Sequence, residues 1–144
     1  MPARVDQLTE GRGIDVLINN AAIAQGGPIS EIDDADLQAQ FETNVFGLMR
    51  VTRAFLPAMC ARGRGRIINV SSTAGRVTVP LSGAYCASKY AVESLSDALR
   101  LELAPFGIEV VLVEPGPIRT DFAAHTMDAA SKYAVATSPY APLF

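Results

Sequence analysis

Three short runs constrain the architecture before anything else does: Ile14-Asp15-Val16-Leu17-Ile18-Asn19, Arg66-Ile67-Ile68-Asn69-Val70 and Glu109-Val110-Val111-Leu112-Val113. Each is rich in β-branched residues and nearly continuous in apolarity instead of alternating with polar positions, the pattern of strands buried on both faces of a parallel sheet. Parallel neighbours cannot be joined by tight hairpins, so the chain between them must cross over, and helical patterns stand where crossovers are needed. After the first run, Leu48, Val51, Thr52, Phe55, Leu56 and Met59 fall on one helix face. Asp33, Asp34 and Asp36 favour the start of this stretch, Gly63 and Gly65 its end, and Pro57 predicts a kink or local loosening within it. Before the third run, Ala84, Ala91, Val92, Leu95, Leu99 and Leu103 form a second stripe, closed by Pro105-Phe106-Gly107. The order is β-α-β-α-β, an α/β class whose ligand crevice lies outside the carboxyl ends of the strands.

Composition sets the outer bounds. A chain of 144 residues with 49% hydrophobic and 19% charged residues holds enough apolar material for one core, so residues 1–144 are read as a single domain. Twelve Lys and Arg against fifteen Asp and Glu give a net charge of −3, which offers a nucleic acid no attractive field. Cys60 and Cys86 are far apart, form no CxxC and are accompanied by one histidine, His125, so neither a disulfide framework nor a metal site is expected. Packed thiols and an exposed or substrate-loop His125 are the simpler reading. No apolar run approaches the roughly 20 residues of a membrane span, and the N-terminus lacks the apolar stretch of a secretory leader; a cytoplasmic protein with no membrane partner is expected. The segment 121–144 is rich in Ala, Ser and Pro and reads as loop plus a short helix.

Small polar residues, Gly and Pro follow each predicted strand: Asn19-Asn20-Ala21-Ala22, then Ser71-Ser72, then Glu114-Pro115-Gly116-Pro117-Ile118-Arg119-Thr120. All three groups reach the same edge of the sheet. The start of the second helix adds Tyr85 and Lys89, which four helical residues place about 40° apart on one face, one turn separated. A phenol with its usual pKa of about 10 is protonated at neutral pH, whereas a neighbouring ammonium favours the phenolate. That is the direction needed by a base that removes an alcohol proton. Ser72, both donor and acceptor, can orient the same oxygen.

With these residues in hand, the chain resembles the short-chain dehydrogenase/reductases from Asp15 to about Phe122. Tyr85-x-x-x-Lys89 with Ser72 thirteen residues upstream looks like the family's catalytic serine, tyrosine and lysine, and Asn44 in Thr43-Asn44-Val45-Phe46-Gly47 matches the asparagine of its proton relay. Asn19-Asn20-Ala21-Ala22 looks like its Asn-Asn-Ala-Gly segment, with Ala22 in place of glycine. Pro115-Gly116-Pro117-Ile118-Arg119-Thr120 looks like the segment that holds the nicotinamide. The resemblance implies a partial Rossmann-type, doubly wound parallel sheet and hydride transfer between NAD or NADP and a small alcohol or ketone. It also implies that Asn44, Ser72, Tyr85 and Lys89 are catalytic. Asn19, Ala21, Tyr85, Lys89, Pro115, Gly116, Ile118 and Thr120 would touch the cofactor, and 121–144 would be the substrate loop.

One part of the family pattern is missing. Gly11-Arg12-Gly13, Gly26-Gly27 and Gly63-Arg64-Gly65 are the glycine clusters, and none follows a predicted strand and opens a helix as a phosphate-binding turn does. The expectation is therefore a chain truncated at both ends relative to the family, without its N-terminal glycine-rich β-α units, with an apolar strand left at an edge. Two functions follow: an NAD(P)-dependent oxidoreductase with Tyr85 as acid/base, or a catalytically silent remnant. In either case the helices around 45–62 and 85–104 are expected to associate with a second copy.

Overall fold

A computed structural model of the chain describes residues 2–144. Its elements run α1 (Pro2–Leu8), β1 (Val16–Asn19), α2 (Asp34–Phe41), a π-helical stretch (Glu42–Gly47), α3 (Leu48–Arg62), β2 (Gly65–Val70), α4 (Gly83–Leu103), β3 (Ile108–Val113) and α5 (Asp121–Ser131). Short 3-10 turns occupy Thr73–Gly75, Ala104–Phe106 and Ala141–Leu143. The three strands form one parallel sheet in the order β1-β2-β3, with Leu17 beside Ile67 and Ile67 beside Val110. This is the α/β, partial Rossmann-type class expected from the strand and helix patterns.

Adjacent parallel strands taken in sequence, each joined by a right-handed crossover, put both crossover helices on the same side of the sheet. Leu17, Ile67, Ile108 and Val110 point to that side and pack with Phe55 and Met59 of α3 and Leu99 and Leu103 of α4 into the core. The expectation of strands buried on both faces is corrected here. Ile67 is fully buried, but Ile18 is 60% exposed, and Val16, Val111 and Val113 are exposed beside it. Among the described residues nothing covers this second face, although its side chains are as apolar as those of the first.

The first crossover also differs from the reading of one long helix kinked at Pro57. α3 runs unbroken through Pro57, and the departure from α geometry lies upstream in the π-helical Glu42–Gly47. Such a stretch fits an extra residue into a turn and re-aims the side chains around it, here those of Asn44 and Val45, which are buried. Asp33 caps α2, its carboxylate accepting the Asp36 N–H at 2.8 Å. Gly63, in the left-handed region at φ 65°, ends α3, whereas Gly65, expected to share that role, is already the first residue of β2. The second stripe is as expected: Ala84, Val92, Leu99 and Leu103 are buried in α4, and Gly107 (φ 68°) turns the chain into β3. The first strand is shorter than Ile14–Asn19, although Asp15 O still accepts the Arg66 N–H at 2.9 Å. The helix in 121–144 is eleven residues long, capped by Thr120, and α1 was not anticipated.

Candidate active site

A cavity of about 560 Å3 opens at the carboxyl ends of the three strands. Ser72 reaches it from the turn after β2, Tyr85 and Lys89 from α4, and Pro115, Ile118 and Thr120 from the segment after β3. A larger hollow of about 660 Å3 lies over α2 and the π-helical stretch, but Glu42, ion-paired with Arg50, is the one ionisable side chain among its seven lining residues.

Lys89 is nearly fully buried, 3% exposed. One of its three donors goes to Val70 O at 2.8 Å, and its Nζ stands 5.7 Å from the centre of the Tyr85 ring, within cation–π range. The helix turn that separates the two residues thus brings the ammonium against the ring face. Burial pulls the Lys89 ammonium down to about 8, with the nearby carboxylate of Glu93 opposing. Tyr85 corrects one expectation. Its phenol is not acidified by the ammonium below it: burial raises it above the usual tyrosine value, against the opposing influence of the Ser72 hydroxyl. Ser72 Oγ also accepts the Ala74 N–H at 3.1 Å, which anchors the turn that carries it. Phe122 of α5 packs near the phenol, ring centres 5.8 Å apart.

Asn44 lies outside the cavity lining, behind it. Its amide pairs with the backbone of the loop after β1: Ile23 N–H donates to Oδ1 at 2.9 Å, and Nδ2 donates to Ile23 O and to Ser88 Oγ, each at 3.0 Å. Asn19 is likewise engaged inward, its Nδ2 donating to Thr52 Oγ1 at 3.0 Å and to Asn69 Oδ1 at 2.9 Å. From the Asn19–Ala22 segment it is Asn20 and Ala22 that line the cavity, and not Asn19 or Ala21. Sequence reasoning missed Gln40 and Ser88. Gln40 is fully buried and holds Gln25 N and Ile23 O, and Ser88 joins Asn44 to α4. Nothing in the spacing of Gln40 marks it, whereas Ser88 sits inside the Tyr85 to Lys89 turn and could have been read as facing Asn44.

The residues present fit the nicotinamide end of a dinucleotide. A Cβ built on Gly116 meets nothing within 4 Å, so open space borders that backbone, and the free donors of Lys89 face the same cavity. The pyrophosphate end finds no match: among the described residues no glycine-rich turn follows a strand and opens a helix.

Comparison with known proteins follows the same lines. The uncharacterized oxidoreductase YbbO of Escherichia coli (strain K12) is 51% identical over 106 residues, 74% of this chain and 39% of that protein. The NADPH-dependent 3-dehydrocapnine reductase of Ornithobacterium rhinotracheale is 46% identical over 114 residues, 76% of this chain and 40% of the reductase. A gluconate 5-dehydrogenase from Burkholderia cenocepacia, solved with NADP and tartrate, superposes with a TM-score of 0.80 at 30% identity, over 92% of this chain and 52% of its own. The chain therefore spans about 40% of the length of the curated relatives it matches. With the short chain dehydrogenase profile matching residues 3–131, nearly its whole length, the chain belongs to the short-chain dehydrogenase/reductase family.

Proposed function

We propose that the chain carries the catalytic, nicotinamide-side part of an NAD(P)-dependent oxidoreductase that interconverts a carbonyl and a secondary alcohol. The observation that supports this reading is the meeting of Ser72, Tyr85 and Lys89 in one cavity at the carboxyl edge of the sheet. A bound nicotinamide supplies or accepts the hydride. Lys89 and the backbone and hydroxyl of Ile118 and Thr120 would hold its ribose and carboxamide, with Pro115 and Gly116 shaping the passage. Ser72 orients the substrate oxygen, and Tyr85 moves its proton. Burial raises the Tyr85 phenol, and in the direction of carbonyl reduction its O–H would donate to the substrate oxygen. Asn44 acts behind the site by fixing the 20–25 loop.

The substrate reading is a small or medium apolar alcohol or ketone, because Pro117, Phe122 and Ala123 give the cavity apolar lining, Phe122 beside Tyr85, and residues 121–144 serve as the substrate loop. Phe46, Tyr90 and Leu101 are exposed on the helices around 45–62 and 85–104, which supports homo-oligomerisation there. Both cysteines are free thiols, in keeping with a cytoplasmic setting; no helix among the described residues is long and apolar enough to cross a membrane.

A second reading, a chain catalytically silent by itself, is favoured by one observation: among the described residues no glycine-rich turn follows a strand and opens a helix. Titration of the chain with NADH and NADPH, followed by cofactor fluorescence, separates the two. Binding below millimolar cofactor, with turnover abolished in Tyr85→Phe and affinity retained, is the expected result; no binding at millimolar cofactor leaves the second reading.

A further inference from the structure

The roles proposed above leave one buried acid without a part. Glu93 lies on α4 one turn beyond Lys89, so the helix carries Tyr85, Lys89 and Glu93 in one line at successive turns. Its side chain is 6% exposed. Arg76 Nη2 approaches Glu93 Oε2 at 2.9 Å from the outside, yet at an angle that makes no hydrogen bond, and both carboxylate oxygens lack a hydrogen-bond partner, as does the buried Ser71 Oγ. Burying a carboxylate in this condition is costly unless opposite charge faces it.

The local chain is shaped to allow it. A Cβ on Gly75 would come within 2.9 Å of Glu93 Cγ and of Ser71 Oγ and within 3.1 Å of Glu93 Oε1, so a residue without a side chain is required where this turn closes over the acid. Arg76, the next residue, spans two elements: besides Glu93 it holds Glu114 at 3.0 Å, just after β3 and directly before Pro115. Tyr90 of α4 donates to Arg76 O, which fixes the turn further. Arg76 therefore links the segment after β3, the turn after β2 and helix α4 on the inner side of the cavity, with Lys89 one turn before Glu93 on the same helix face. Other titratable groups against these residues are Tyr85, Cys86, Tyr90 and Asp97, all on α4.

We propose that Glu93 is a positioning residue of this site, whose buried carboxylate, clamped from outside by Arg76, keeps the Lys89 ammonium charged and held beneath the Tyr85 ring. This rests on the reading of Lys89 as the nicotinamide-side lysine. A lysine this deeply buried otherwise loses its charge near neutral pH; the lowered Lys89 value, with Glu93 as the opposing influence, points the same way.

The chain contains two lysines, Lys89 and Lys132, so a lysine 13Cε and 15Nζ NMR titration resolves both and needs no turnover. Lys89 is expected to titrate near 8 in the unaltered chain. In Glu93→Gln its midpoint falls by about one pH unit or more, while in Glu93→Asp, which keeps the charge, most of the wild-type value returns; Lys132 moves in neither. An unchanged Lys89 midpoint in Glu93→Gln overturns the proposal even if the chain binds cofactor. If Glu93→Gln does not fold, the unaltered chain decides. The Lys89 13Cε and Glu93 13Cδ signals must change together across a pH series, and independent changes overturn the proposal as well. A chain that binds no cofactor yet shows the coupled titration sinks the oxidoreductase reading alone.

Discussion

The two faces of the sheet are built from the same three strands and the same kinds of side chain, and they differ in everything else. On one face Leu17, Ile67 and Val110 are sealed by α3 and α4; on the other Ile18, Val111 and Val113 stand open among the described residues. The cavity draws its groups from the packed side and the strand ends: Lys89 hangs from α4 and is anchored to Val70 O at 2.8 Å. The contrast teaches that the geometry of the cavity and the covering of the open face are separable. Ser72, Tyr85 and Lys89 are assembled by one helix layer, while a complete hydrophobic sandwich would need a second.

The sharpest way to break that contrast is to cut the same side chain on each face. Ile67→Ala removes a fully buried side chain from the core and is expected to cost about 3 kcal/mol in a chemical denaturation experiment. Its neighbour Ile68 points to the other face, and Ile68→Ala is expected to cost less than about 1 kcal/mol. Equal losses would show that the open face is packed in solution. A smaller effect tests the support of the site itself. Asn44→Ala strips hydrogen-bond partners from Ile23 N–H, Ile23 O and Ser88 Oγ and is expected to destabilise by about 2 kcal/mol. In a limited-proteolysis assay the 20–25 loop should become the first point of cleavage. Wild-type resistance there would mean that Gln40, which binds the same loop, suffices.

The sequence made the sheet legible because strand signals are local: β-branched runs bounded by Gly and polar residues mark Val16–Asn19, Gly65–Val70 and Ile108–Val113 within two residues. It also made Tyr85 and Lys89 legible as neighbours, since helical spacing alone sets their separation. What it hid was tertiary. Continuous apolarity in Ile18 and Val111 reports that a strand can be covered on both faces, and says nothing about whether a covering element is present. The rise in the Tyr85 phenol comes from its burial, against the opposing Ser72 hydroxyl, and helical spacing alone points the other way. The π-helical stretch was hidden for a different reason. Pro57 is a strong local signal for a distorted helix, yet α3 continues through it, and the distortion lies upstream, in the stretch where Asn44 makes hydrogen bonds to residues 21 and 44 positions away.

The smallest expected effect is also the most diagnostic. Val111 and threonine have nearly the same shape, so Val111→Thr alters little except that a methyl becomes a hydroxyl. In a closed core that hydroxyl would lack a partner and cost a kilocalorie or more. On an exposed strand position water satisfies it, and the β-branched shape that suits a pleated surface is kept. The unfolding free energy is therefore expected to change by less than about 0.5 kcal/mol. Sedimentation velocity at rising concentration reads the second consequence. An apolar face open to solvent drives association in proportion to the area it hides, so the substitution should shift any concentration-dependent dimer toward monomer. A stability loss comparable to that of Asn44→Ala, with unchanged sedimentation, would mean that the second face is sealed within the chain itself and that the two faces are alike after all.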